Sequence, residues 1–305
     1  MKKNNLTSVF LFLFTIIIAA SCTPKEDSMT EFGKKYFDNL SPEKTDIKFM
    51  PAEQSELRTQ LPDTVTAERF FVTYGEDRML TGILFTPAGK TDKALLFLHW
   101  LGGITNIDKG AMEFYSEAAG FASDGYLCAV PDGFFPWANA PADVESDYAA
   151  FKRQIVEYRL VLDIMTGRMI KDDYKVGIVG HDYGGMYALV LAQVDNRIDF
   201  ICSLTPTDTY WSWNSIITSF QSGGDFQKKY MDIFRPFDPE IIISNIDKPL
   251  FLQFADADEY VSEETRKNIT DNTNTAAIIK IYESNHSLNR SQIAADERRD
   301  WIKSM

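Results

Sequence analysis

From about residue 66 onward, apolar positions fall into short unbroken runs separated by longer amphipathic stretches. Arg69-Phe70-Phe71-Val72-Thr73-Tyr74 and Met79-Leu80-Thr81-Gly82-Ile83-Leu84-Phe85 read as a strand pair, with Gly75-Glu76-Asp77 as the turn. Ala94-Leu95-Leu96-Phe97-Leu98 reads as a buried strand. Residues 109–123 read as a helix ended by Asp124-Gly125, and Tyr126-Leu127-Cys128-Ala129-Val130 as the next strand. A long amphipathic helix is expected over 141–168. The apolar runs from Val176 to Val179, Phe200 to Leu204, Leu250 to Phe254 and Ile278 to Tyr282 are four more strands, and a helix from about Arg290 to Lys303 follows the last. Strands that are apolar throughout belong to a sheet covered on both faces. Their alternation with helices predicts an α/β fold: a mostly parallel, twisted sheet with helices on both sides. Residues 207–247 break the rhythm. They are aromatic-rich and carry Gly223-Gly224. They are expected to be an inserted lid over the strand ends, where open α/β sheets bind ligands; the alternative is a pair of surface helices.

The first residues follow a different pattern. Lys2 and Lys3 precede an apolar run through Val9-Phe10-Leu11-Phe12-Leu13-Phe14 and Ile16-Ile17-Ile18 that ends in Ala19-Ala20-Ser21-Cys22. A basic start, a short apolar segment and small residues make 1–21 a signal peptide. The run is short for a membrane-spanning helix, which needs about 20 apolar residues. Its end resembles a bacterial lipobox, which implies lipidation at Cys22; an ordinary cleaved signal with an incidental cysteine is the alternative. Residues 22–45, polar with Pro24 and Pro42, read as a lipidated N-terminus and tether, and 46–305 as the folded domain. Lys25-Glu26-Asp27 resembles the charged signals that send some Gram-negative lipoproteins to the cell surface. The expected location is therefore the bacterial cell envelope, lipid-anchored at the outer membrane or cell surface.

Composition bounds the partners. The 305 residues are 45% hydrophobic and 25% charged, ordinary for a globular protein with a sizeable core. The net charge is −13; removing 1–21 leaves 29 basic against 44 acidic residues, a net of −15. Such a surface argues against nucleic acid, and against a membrane except through the lipid anchor. Cys128 and Cys202 each sit in a separate strand and read as two buried free thiols.

The chemistry centres on Gly180-His181-Asp182-Tyr183-Gly184-Gly185, which follows one strand and precedes the apolar run from Met186 to Ala192. Strand, tight glycine turn and helix are the context of the G-x-S-x-G nucleophile elbow, with Asp182 where Ser is usual. The chain resembles the α/β-hydrolase superfamily over roughly residues 66–305. The resemblance implies a nucleophile, then an acid, then a His, in that order. Of His99, His181 and His286, only His286 follows the elbow, in the loop after the last strand. Asp258 is the chosen acid, in Ala255-Asp256-Ala257-Asp258-Glu259-Tyr260-Val261, with Asp256 and Glu259 as loop carboxylates and Asp208 as competitor. The implied oxyanion hole comes from the backbone N–H of Tyr183 and of Leu101, in His99-Trp100-Leu101-Gly102-Gly103, with Trp100 the less favoured donor and His99 structural. Trp100, Phe134, Trp137, Tyr210, Trp211 and Trp213 are candidate substrate-binding residues, the last three as O–H or N–H donors to a leaving group.

The elbow resembles the Gly-His-Asp-Trp-Gly-Gly of haloalkane dehalogenases and epoxide hydrolases. Pro131-Asp132-Gly133, Phe237-Asp238-Pro239 and the Asp258 run resemble dienelactone-hydrolase and esterase-type members. The first resemblance implies a covalent aspartyl ester formed at an epoxide or carbon–halogen bond and hydrolysed by water that His286 activates. An attack by carboxylate on an ester would instead give a mixed anhydride, which is uphill. The second implies an esterase-like hydrolase in which an atypical Asp182 works differently. A non-catalytic binding protein on the same fold is the third expectation, though it gives no reason for an oriented base. The sequence carries no metal-ligand cluster, phosphate loop or dinucleotide fingerprint, so neither metal nor cofactor is expected, and the partner is a small organic molecule.

Overall fold

A computed structural model describes residues 28–37, 40, 45–57, 59–75, 78–100, 110–135, 143–169, 173–213, 224–274 and 276–305. Cys22, Leu101 and Trp137 lie outside them. Among the described residues no helix is long and apolar enough to cross a membrane.

Nine strands form one sheet in the order β1-β2-β3-β5-β4-β6-β7-β8-β9. In the chain they are β1 Thr45–Pro51, β2 Val65–Tyr74, β3 Arg78–Pro87, β4 Lys93–Leu98, β5 Leu127–Pro131, β6 Lys175–His181, β7 Phe200–Leu204, β8 Leu250–Ala255 and β9 Ile278–Tyr282. The pairs β1–β2, β2–β3 and β3–β5 are antiparallel; the other five are parallel. The helices are α1 Glu31–Phe37, α2 Tyr115–Ser123, α3 Val144–Gly167, α4 Tyr183–Val194, α5 Asp225–Phe234, α6 Glu263–Thr270 and α7 Gln292–Ser304.

The continuous apolar strands have the cause expected of them. In β4, Leu96 and Leu98 join the core under α3 and α4, while Leu95 and Phe97 join the core under α2 and α7. A parallel sheet covered on both faces leaves no room for polar alternation. The α4 helix lies deepest; every residue from Tyr183 to Val194 except Gln193 is buried. The thiols of Cys128 and Cys202 are free and buried, one on β5 and one on β7.

Two expectations about the chain's early part need correction. The stretch assigned as tether, 22–45, is in part folded onto the domain. Thr30 N–H donates to the Val194 carbonyl at 3.0 Å. Phe37 is fully buried, and the rings of Phe32, Tyr36 and Phe37 pack on Phe237 with centroids 5.9, 4.9 and 5.8 Å away. The short charged sequence of α1 hid this, because its apolar residues meet a surface contributed from far along the chain. Strand β1 was not anticipated either. It is an edge strand that buries only Ile47, and its polar–apolar alternation is confined to Asp46-Ile47-Lys48-Phe49. The 207–247 insertion is helical where described, with α5 and the short helix Pro239–Ile242 between β7 and β8; residues 214–223 are outside the description.

Two buried ion networks lock the layers. Arg159 on α3 donates to Asp195 at 2.9 Å and to the Ser28 hydroxyl at 3.0 Å. Arg197 adds contacts to Asp195, at 2.7 Å, and to Asp163. Burial raises the Asp195 carboxyl, but the two guanidinium groups win and hold it below its ordinary range. Arg298, fully buried on α7, reaches Glu117 on α2 at 2.7 Å and Gln253 on β8 at 2.7 Å. Removing one member of such a group strands the others as uncompensated charge. Asp195→Ala is therefore expected to cost about 3–5 kcal/mol, read as a lower urea midpoint at unchanged slope. A loss below about 1 kcal/mol would contradict this account of how the N-terminal segment is held.

Candidate active site

Strand β6 ends at His181 and α4 begins at Tyr183, so Asp182 alone makes the turn. It does so at φ 58° and ψ −121°, a left-handed backbone with no glycine to ease it. Such a residue stores about 1–3 kcal/mol of strain and persists only where its surroundings over-determine it. Here Asp182 N–H donates to the Leu204 carbonyl at 2.9 Å, and its own carbonyl accepts from Met186 N–H at 3.1 Å. The glycines make the turn possible by close approach. A Cβ on Gly184 would lie 1.9 Å from the Leu98 carbonyl oxygen, and one on Gly180 2.1 Å from that of Gly184.

The base and its acid arrive on the loops after β9 and β8, which are laced together. Asp256 N–H donates to the Tyr282 carbonyl at 2.9 Å and Ala257 N–H to that of Ser284 at 3.1 Å. Asp256 and Glu259, expected as plain loop carboxylates, accept from Ser284 N–H at 3.1 Å and His286 N–H at 3.2 Å, bracing the base loop. Asp258 Oδ1 accepts from Tyr260 and Val261 N–H, both at 2.9 Å. Its two oxygens lie 3.0 and 2.9 Å from His286 Nδ1, so Nδ1 carries the proton. His286 Nε2 is 3.9 Å from Asp182 Oδ2, an ionic contact longer than a hydrogen bond. Asp182, Asp258 and His286 thus meet in one place. Asp208 does not join them; its oxygens accept from Ser212 Oγ at 2.8 Å and Asn268 Nδ2 at 2.9 Å.

The surroundings are aromatic. The ring of Trp213 stands 5.3 Å from His286, nearly perpendicular, and that of Tyr260 at 5.0 Å. His181 stacks on His286 at 5.3 Å, and Trp100 stacks on His181 at 5.4 Å with the planes 7° apart. Trp213 Nε1 is buried with no acceptor among the described residues, which suits a donor to substrate.

Other expectations fare differently. Tyr210 is fully buried among Phe151, Tyr187 and Phe234, and Trp211 packs on Phe226 and Tyr230. Tyr210 thus packs between the insertion and helices α3 and α4, and Trp211 packs within the insertion; neither has a ring contact with His286 among the described residues. Phe134 faces α3, with Arg153 over its ring at 4.2 Å and its N–H on Gln154 at 2.7 Å. Trp100 N–H donates to Glu113 at 2.6 Å, so it is committed elsewhere than an oxyanion. Tyr183, as first residue of α4, has its N–H outside the helical ladder at the positive end of the helix dipole. His99 is structural, bridging the Trp100 carbonyl at 2.7 Å and Gly133 N–H at 2.9 Å.

Sequence reasoning missed three residues. Tyr260 lay within the run that gave Asp258. His181 adjoins Asp182 and was passed over. Glu113 is a lone acid among Ala111, Met112, Phe114 and Tyr115, and a charge inside an apolar helix face was the available signal. Among the described residues no group of three or more His, Cys, Asp or Glu is arranged to hold a metal.

A buried Asp–His–Asp array at a strained elbow on a doubly covered α/β sheet defines a hydrolase of the α/β-hydrolase superfamily. The sequence profile of the dienelactone hydrolase family matches residues 80–301, and the chain belongs to that family. No curated protein matches closely enough to serve as a relative. Among solved structures the chain is similar to an acetyl xylan esterase from a Thermoanaerobacterium species, at 12% identity and TM-score 0.65 over 89% of this chain and 92% of that one. An acetyl xylan esterase from a Paenibacillus species gives 13% and 0.64 over 89% and 92%. A cold-adapted esterase from an Arctic intertidal metagenomic library gives 16% and 0.59 over 80% and 96%. At such identities the likeness is one of fold.

Electrostatics set the resting state. Burial works against charge on His286, but Asp182 and Asp258 on either side overcome it and raise the imidazole to about 10. Burial likewise raises Asp258, and His286 with the two backbone N–H groups holds it below its ordinary range. Because His286 is raised, the stability it contributes is complete below its unfolded value of about 6.5 and is lost as pH climbs toward about 10. Nitrogen-15 spectra of the histidine rings should show His286 doubly protonated at pH 8, and Asp182→Asn should move its titration down. A neutral His286 at pH 7 in the unaltered protein would contradict the assignment.

Proposed function

We propose that this chain is a dienelactone-hydrolase-like esterase that cleaves an ester or lactone of a small organic molecule, with Asp182 replacing the usual nucleophile as the group that takes up water. The observation that carries the reading is the juxtaposition of Asp182, at 3.9 Å, with a His286 held as imidazolium by Asp258. An imidazolium cannot accept a proton, but it can give one. Asp182 receives a proton from water as the water oxygen attacks the carbonyl. His286 hands its Nε2 proton to the departing alkoxide, and proton return from Asp182 to His286 restores the site. Tyr183 N–H, with Leu101 N–H from the turn after β4, is the proposed oxyanion hole, and Trp213 Nε1 a further donor to substrate oxygen.

The carboxylate at the elbow also favours a second reading. Attack by Asp182 on a saturated carbon of an epoxide or carbon–halogen bond gives an aspartyl ester. That step removes the Asp182 charge, which lowers the His286 pKa. An epoxide releases its ring oxygen as an alkoxide, which takes the His286 proton; a carbon–halogen bond releases halide, and that proton passes to solvent. The neutral His286 left behind is then a base for water, which hydrolyses the ester. One experiment separates the two. After a screen of lactones, short esters, epoxides and haloalkanes, a single turnover in oxygen-18 water should place label in the product acid and none in Asp182. Label in Asp182 would replace the first reading with the second; unchanged turnover in His286→Ala would remove both, and ligand binding without turnover, unaffected by His286→Ala, would favour a binding role.

We also propose that the protein is lipid-anchored through Cys22 to the bacterial envelope, at the outer membrane or cell surface. Expressed in a Gram-negative host, the unaltered chain should fractionate with membranes and Cys22→Ser should not. Equal partition of the two would reject the anchor.

A further inference from the structure

The mechanism leaves one buried pair unused. Glu113 precedes α2, and His181 is the last residue of β6. His181 is fully buried and the Glu113 side chain is 4% exposed. One Glu113 oxygen accepts Trp100 N–H at 2.6 Å. The other lies 3.0 Å from His181 Nδ1, and His181 Nε2 lies 3.0 Å from the backbone carbonyl of His286. One carboxyl group therefore stands between the turn after β4 and the loop that carries the base.

The proton count follows from the atoms. A carbonyl only accepts, so His181 Nε2 carries hydrogen. A proton must also lie between Nδ1 and the Glu113 oxygen, since two lone pairs do not meet at 3.0 Å. It can sit on nitrogen, as imidazolium and carboxylate, or on oxygen, as imidazole and carboxylic acid. The first arrangement stacks a second cation on the His286 imidazolium at 5.3 Å. It also creates two charges away from bulk solvent, at the desolvation cost that a neutral pair avoids.

We propose that Glu113 is a positioning residue held as the neutral acid: it accepts from Trp100, donates to His181, and through His181 fixes the carbonyl of His286. This rests on the hydrolase reading above for its consequence, but not for its geometry. Burial, with the nearby Asp182 charge, pushes the Glu113 carboxyl well above its ordinary range, against the Trp100 N–H. Burial and the neighbouring His286 charge push His181 down to about 3. Both directions agree with the neutral pair.

Two variants and one spectrum test it. In Glu113→Gln the amide can donate to His181 and accept from Trp100, so kcat should stay within about threefold. In Glu113→Leu both links are lost, and kcat should fall about 10–100-fold with KM nearly unchanged, as for a reacting group displaced while binding survives. Nitrogen-15 spectra of the unaltered protein should show His181 at neutral pH with Nε2 protonated and Nδ1 bare. That readout needs no substrate, so it stands if the hydrolase reading falls. A doubly protonated His181, or a Gln variant as impaired in kcat as the Leu variant, would overturn the proposal. If Glu113→Leu does not fold, Glu113→Gln and the spectrum decide it.

Discussion

The site depends on a contact between backbones. Gly184, in the first turn of α4, lies so close to the carbonyl of Leu98 at the end of β4 that no side chain fits between them. That approach draws the first turn of the central helix onto the sheet and forces the preceding residue into a left-handed conformation. Asp182 occupies that position at a cost no loop residue would bear without support. The hydrogen bonds from Asp182 N–H to the Leu204 carbonyl and from Met186 N–H to the Asp182 carbonyl supply it. The strain is thereby converted into position: the carboxylate stands at the C-terminal edge of the sheet, where the loops after β8 and β9 deliver Asp258 and His286.

Charge then decides which chemistry the geometry can support. Two carboxylates flank one imidazole in a buried setting, and the imidazole resolves the repulsion by taking a proton. A serine at the elbow would leave His286 free to act as base from the start. An aspartate makes the resting histidine an acid, and its basicity returns only when the elbow charge is removed. The rings of Trp213 and Tyr260 pack against His286, and the burial of the array strengthens each interaction within it. The His286 backbone is tied through His181 to Glu113, so the residue is held at both its side chain and its main chain.

Much of this was legible in the sequence for a simple reason. Strands β4 to β8 are buried on both faces, so they are unbroken apolar runs, whereas β9, mostly apolar in sequence, is an edge strand buried only at Tyr282. The elbow's glycines are dictated by backbone contact. Order along the chain then picked His286; the strand-end position left Asp256, Asp258 and Glu259, and the resemblance of that run to the family's picked Asp258. What escaped notice depends on contacts across the fold. Strand β1 buries one residue and alternates over only four positions, and α1 is short and charged, so neither stands out from the polar stretch around it. Tyr210 and Trp211 share a sequence cluster with Trp213, yet a helical turn sends Tyr210 against α3 and α4, Trp211 against α5 and only Trp213 to His286. Glu113 stands alone among apolar neighbours in sequence, which marks it as unusual but names no partner. Its burial follows from the turn after β4 and from His181, neither of which is near it in sequence.

The central claim is that Asp182 acts chemically and does not merely fill the turn. The most direct measurement is the single-turnover rate of Asp182→Asn beside the unaltered protein, on whichever substrate the screen returns, with folding checked by denaturant midpoint. The account predicts a loss of at least about a thousandfold at a nearly unchanged midpoint, since shape is kept and only the charge is removed. Asp182→Asn turning over at the rate of the unaltered protein would contradict it.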